Sequence, residues 1–116
     1  MTSARVCVGS KNLRNSQTTE RAVTAAIVRS LKARKAAGER IHWLKLHGSA
    51  CQRSGEPDLL IVHEGRPVLV EIKRPSGSHP TPLQVVRLKA WRSAGAICGV
   101  ARSVEDVDWL LDIATK

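Results

Sequence analysis

Tyrosine and phenylalanine are absent from the 116-residue sequence, and its three tryptophans make up only 3% of the chain. A binding surface built mainly on stacked aromatic rings is therefore not expected. No apolar run approaches the roughly 20 residues that cross a bilayer, so no membrane span is expected. Residues 1–16 carry no apolar stretch of the kind a secretory signal needs. The three cysteines (Cys7, Cys51 and Cys98) are odd in number and widely spaced. Without a CxxC pair or a Cys/His cluster, neither a disulfide framework nor a zinc site is expected. Reduced thiols fit a cytoplasmic compartment. Internal repeats and low-complexity tracts are also missing, and a chain of this length builds one modest core.

What is present is positive charge. Lysine and arginine number 19 against 10 acidic residues, for a net charge of +9 and a pI near 10.4. Residues 1–102 hold 18 basic and 6 acidic groups, whereas 103–116 hold 1 basic and 4 acidic. A small basic domain of this kind points first to a polyanionic partner, nucleic acid above all. With 42% apolar residues the chain is nevertheless rich enough for a folded core.

Hydrophobic periodicity and turn residues give the element order. Residues 1–16 read as a basic arm, and 17–116 as a single domain. A helix is predicted from Thr18 to about Ala37, capped by Thr18 or Thr19 and ended by Gly38. Val23, Ile27 and Leu31 mark its buried stripe. Ile41–Leu46 reads as a strand, followed by a glycine-containing loop. Two apolar runs, Asp58–His63 and Pro67–Lys73, flank Glu64-Gly65 as a hairpin. Both runs are apolar on both faces at their centres, which predicts a sheet covered on both sides. Thr81 and Pro82 open a second helix that Gly95 ends. Ala96–Ala101 reads as a buried strand, and Ser103 caps a final helix with Glu105 and Asp106 in its first turn. The resulting α-β-β-β-α-β-α order predicts a mixed α/β sheet with helices on its faces. Trp43, Trp91 and Trp109 read as core or interface residues, and His42, His47, His63 and His79 as surface or loop residues.

The hairpin carries the sharpest inference. A turn centred on Glu64-Gly65 pairs His63 with Arg66, Leu60 with Leu69, and Asp58 with Glu71. Paired residues share a face, with Cβ atoms about 4.5–5.5 Å apart. Strand alternation puts Leu69, Glu71 and Lys73 on one side, and Val68, Val70 and Ile72 on the other. Two adjacent carboxylates repel unless something cationic separates them, and both Lys73 and a divalent metal would serve. Hard oxygen ligands with open water positions suit Mg²⁺ or Mn²⁺. A bare Glu-x-Lys triplet also describes a solvated ion pair at a strand end. The registered Asp58 turns the reading toward a site.

Two further polar residues fall on stripes otherwise apolar. Glu20 continues the 20, 23, 27, 31 face of the first helix, and Gln84 shares a face with Leu88 and Trp91. First-turn acids are favoured by the helix dipole in any protein, and Gln84 also fits the edge of the core. Both helices could nevertheless aim these groups at the hairpin.

Glu20, then Gly55-Glu56-Pro57-Asp58, then Glu71-Ile72-Lys73, then Gln84 resembles the PD-(D/E)XK nuclease pattern. The spacing and the glutamine-bearing helix are most similar to its VRR-NUC group, which includes small phage and bacterial proteins. The resemblance covers about Thr18 to Arg102. It implies a restriction-endonuclease-like core and a metal-dependent endodeoxyribonuclease. Asp58 and Glu71 would bind Mg²⁺, which Mn²⁺ could replace, with the Ile72 carbonyl as a further ligand. Glu20 would complete the shell directly or through water. Lys73 would orient the attacking water and stabilise developing charge, and Gln84 would support the site or the scissile phosphate. Branched DNA, with four-way (Holliday) junctions foremost, is the implied substrate, and a homodimer the implied assembly. The implied setting is the cytoplasm of a bacterium or of a phage-infected host.

Arg53 and Arg74 adjoin the motifs as candidate phosphate contacts, with Lys45 and His79 as further candidates. Alternatives at this point are a monomeric flap or nicking nuclease, a DNA-binding module that keeps the fold without the activity, and an RNA-binding accessory protein resting on charge alone.

Overall fold

Thr19 begins the first helix, its hydroxyl accepting the Ala22 N–H at 3.1 Å. In the computed structural model, which describes residues 19–46 and 54–114, this helix α1 spans Glu20–Ala36. Val23, Ile27 and Leu31 are its buried residues, as the spacing predicts. The chain then turns at Gly38 with φ +99° and enters β1, Ile41–Lys45.

Strands β2 (Leu59–His63) and β3 (Arg66–Ile72) form the expected hairpin. Glu64 and Gly65 have φ of +50° and +82°. Two positive φ values in a two-residue loop give the turn whose twist matches the flanking strands. The register pairs His63 with Arg66, Leu60 with Leu69 and Leu59 with Val70, as the turn requires. Helix α2 (Pro82–Ser93) crosses to β4 (Ile97–Ala101), which pairs parallel to β3, and α3 (Val104–Ala114) closes the chain. The strand order is β1-β2-β3-β4, mixed as predicted.

Both faces of β3 are covered, whereas Leu44 of β1 and Val62 of β2 stay exposed on the second face. The expectation of a sheet covered on both sides therefore holds at its centre and not at the β1 edge. Val68, Val70 and Ile72 pack with α1 and with Val107, Leu110 and Leu111 of α3. On the opposite face Leu69 packs with Leu88 of α2, Ala96 and Cys98. Burying both faces of β3 is what makes it a continuous apolar run until Glu71. No helix among the described residues is long and apolar enough to cross a membrane.

Two expectations are corrected. His63 is 4% exposed rather than a surface residue. Its ring lies on a face of β2 that is otherwise apolar, and its Nε2 lies 2.8 Å from Glu39 Oε1. Arg34 bridges the same Glu39 oxygen and, 2.9 Å away, Asp108 of α3. Of the core-or-interface reading of Trp109, the core half is corrected: it is 65% exposed, because Val107, Leu110 and Leu111 already fill the inward face of α3. The arm at 1–16 lies outside the described residues, as do His47, Cys51 and Arg53.

Candidate active site

The end of the hairpin farthest from its turn gathers the predicted polar residues. Gly55 leads into Pro57, which is fully buried, and then Asp58. The Asp58 backbone is held from both sides: its N–H donates to the Val70 carbonyl at 3.0 Å, and its carbonyl accepts from Leu46 at 2.8 Å. Its carboxylate Oδ2 accepts the Ile72 N–H at 2.8 Å. Asp58 therefore sits against the last turn of the β3 ladder, beside Glu71, as the register predicts.

Glu71 is 2% exposed and Lys73 8%. The solvated-ion-pair reading of Glu-x-Lys is thereby corrected: the two groups are inside, with Lys73 Nζ 3.4 Å from Glu71 Oε2. Gln84 Nε2 donates to the same oxygen at 2.8 Å. Glu71 Oε1 is buried and makes no hydrogen bond. Burial, and then the like charge of Asp58, push the Glu71 carboxyl up to about 7, while Lys73 opposes the shift. A carboxylate so placed is stabilised by an added cation.

Gln84 is fixed from its other end too. Thr81 caps α2 by accepting the Gln84 N–H at 3.1 Å, and its own N–H donates to Gln84 Oε1 at 2.8 Å. This reciprocal cap leaves the amide nitrogen free to meet Glu71. A first-turn glutamine after Thr-Pro was the sequence signal for the cap. Its use as a brace for Glu71 needed the fold.

The remaining predicted residues are dispersed. Glu20 is exposed and not on the buried face, because the core contacts of α1 begin one turn later at Val23. It lines the same cavity as Asp58 and Ile72, as does Lys45. It does not join the two carboxylates in a cluster: among the described residues no three His, Cys, Asp or Glu side chains are spaced to hold a metal ion. Arg74 and His79 are exposed on the loop after β3. Sequence reasoning missed Arg102, whose guanidinium donates to the Arg74 carbonyl at 2.9 Å and also to the Ser78 carbonyl. It straps that loop to the end of β4, and only its position just after the strand hinted at this.

The oxygen set fits a divalent metal. Glu71 Oε1 is a buried acceptor without a donor, and burial, then the adjoining Asp58 carboxylate, raise the proton affinity of Glu71. Both are hard oxygen ligands of the type Mg²⁺ and Mn²⁺ favour.

The chain as a whole is similar to solved structures. One neighbour, described as "VRR_NUC domain", has a TM-score of 0.57 and 28% identity, covering 82% of this chain and 97% of its own. A second, "VRR_NUC domain protein", has a TM-score of 0.63 and 25% identity, covering 84% and 88%. No family model matches the chain, and no curated protein does. A mixed four-stranded sheet flanked by helices, with these neighbours, is compatible with a restriction-endonuclease-like α/β fold. The likenesses, which cover most of the chain, support the VRR-NUC family and a nuclease-family domain.

Proposed function

We propose that the protein is a metal-dependent endonuclease that hydrolyses DNA phosphodiester bonds, with branched DNA as its substrate. One observation carries the reading: Glu71 keeps a buried oxygen with no hydrogen bond beside Asp58, while Lys73 and Gln84 hold its other oxygen. A purely structural ion pair gains nothing from leaving that acceptor unsatisfied, which costs about 1–3 kcal/mol.

Asp58 and Glu71 would hold Mg²⁺, with Mn²⁺ able to replace it and the Ile72 carbonyl as a further ligand. A bound divalent ion lowers the pKa of water and offsets charge on a phosphate undergoing attack. Lys73 supplies a fixed positive charge next to the carboxylates and orients the attacking water. Gln84 keeps Glu71 in place, and Glu20, across the cavity, acts through water. The surplus of basic residues draws a polyanion to the protein. The described residues hold one such site, so paired cuts in two strands call for two copies related by a twofold axis.

The test is a labelled panel of four-way junction, flap, single-stranded and linear duplex DNA, each with Mg²⁺, Mn²⁺ or EDTA. Metal-dependent paired nicks in the junction are expected. Tight binding without cleavage of any substrate would overturn the nuclease reading.

A further inference from the structure

Helix α1 and the edge strand β1 enclose a cavity of about 820 Å³ that opens beside Asp58 and Ile72. Its walls carry Arg21, Arg29 and Lys32 from α1 and Lys45 from β1. All four are exposed. None of them makes an ion pair among the described residues, although Arg34 one turn away makes two. Thr24, Ala25 and Val28 lie between these cations, so the floor of the cavity stays low. The direction of the helix is also fixed. Its C-terminal Arg34 and the following Glu39 meet His63 at the hairpin-turn end of the sheet, which leaves the first turn at the Asp58 end.

Among the described residues these cations have no ion-pair partner, and Arg29 and Lys32, three residues apart, repel each other, which an anion facing them would relieve. The spacing suits one anion in particular. Arg21 and Lys32 are eleven residues apart, or about 16 Å along the helix. One strand of duplex DNA presents a row of phosphates spaced by several ångströms along its backbone, so that length faces more than one phosphate of the same strand.

We propose that this face of α1, together with Lys45, is the track for the backbone of the strand that is cut. Phosphates leading away from the scissile bond at Asp58 lie along Arg21, Arg29 and Lys32, with Lys45 holding the opposite wall. The assignment rests on the nuclease reading. It moves the main phosphate contacts from the loop around Arg74 and His79 to the outer face of the first helix. It also makes the contact independent of base identity, since phosphates position a protein without carrying sequence information.

The experiment compares two exposed helix lysines, Lys32 inside the cavity and Lys89 on α2 outside it. Binding of full-length protein to labelled linear duplex is measured in EDTA across about 50–200 mM salt. Lys32→Gln should reduce the slope of log affinity against log salt by about 0.9, and Arg29→Gln should do the same. The Lys32→Gln, Arg29→Gln pair should shrink the affinity loss over that salt range roughly tenfold. Arg29→Lys should keep the wild-type slope, since charge and not shape is being read. Lys89→Gln should leave the slope unchanged. Equal slopes for Lys32→Gln and wild type overturn the track, and cleavage by the wild type then leaves the nuclease reading standing. A lowered slope in a protein that never cleaves supports the cavity as a phosphate track and overturns the nuclease reading.

Discussion

The amide nitrogen of Gln84 donates to Glu71 Oε2 at 2.8 Å, while the amide oxygen of the same side chain closes the cap of α2. One residue thus ties the start of a helix to the carboxylate at the end of the central strand. The two roles separate in a substitution. Gln84→Glu keeps the capping arrangement, which glutamate supports equally well, but sets a carboxylate against Glu71. Cleavage should fall on the order of 10–100-fold, as is usual when a partner of a metal ligand is lost. The far-ultraviolet circular dichroism should be unchanged. A variant that cleaves at the wild-type rate would show that Gln84 serves the cap alone.

Glu71 makes stability and activity pull in opposite directions. Its carboxyl is pushed up to about 7 in the folded protein from an ordinary value of 4.5, first because of burial and then because of Asp58. The folded state therefore binds the proton more tightly than the unfolded state, and stability falls as pH rises between those two values. Without metal, the melting temperature should decline across that window. Glu71→Gln should flatten the decline and raise the melting temperature at pH 8, while abolishing cleavage. Mg²⁺ should restore wild-type stability at pH 8 and do little for the variant. A metal-free melting temperature that rises through the window would contradict the raised proton affinity of the buried carboxylate.

Most of the framework was legible because its signals are local. The positive φ values at Glu64 and Gly65 follow from the turn residues, and once that turn is placed, alternation alone puts Asp58 beside Glu71. Helix periodicity was enough for Val23, Ile27 and Leu31. The same periodicity misled at Glu20, because a stripe says nothing about where the neighbouring layer stops. His63 was illegible for a related reason. Its burial depends on Glu39 and Arg34, which come from a different stretch of chain and satisfy a ring that periodicity cannot distinguish from a surface residue. The dual use of Gln84 and the strap from Arg102 are also tertiary, joining residues that no local pattern connects.

That Glu39 arrangement has its own pH signature. The hydrogen bond from His63, and then Arg34, hold the Glu39 carboxyl below its usual range. Its stabilising contribution is present above the unfolded value and is lost as pH falls through the folded one. Glu39→Gln should therefore lower the melting temperature at pH 7 and have less effect near pH 3. Because this cluster lies at the turn end of the hairpin, cleavage at pH 7 and at a temperature well below the melting point should be unaffected. A Glu39→Gln variant that loses activity while still folded would mean that the two ends of the hairpin are coupled.

Gly55 links the approach to Asp58 with the first turn of α2. Its φ is +83°, and a Cβ there would stand 2.6 Å from Leu83 Cγ and 3.3 Å from Arg87 Cγ. The same segment is held to α2 by Arg87 Nε donating to the Ser54 carbonyl at 3.2 Å and Trp91 Nε1 donating to Glu56 Oε1 at 2.9 Å. Gly55→Ala therefore has two costs, a left-handed backbone worth about 1–2 kcal/mol and displacement of Leu83 next to Gln84. Gly65→Ala separates them. Gly65 also has positive φ, +82°, but a Cβ there meets nothing within 4 Å. Both variants should melt several degrees below wild type, at about 4–8 °C per kcal/mol for a domain near this size. Only Gly55→Ala should also cut more slowly at a temperature where both are folded, since only it moves the segment carrying Asp58 against the helix carrying Gln84. Equal cleavage by the two would mean that the contact between Gly55 and Leu83 supports the fold without setting the geometry of the site.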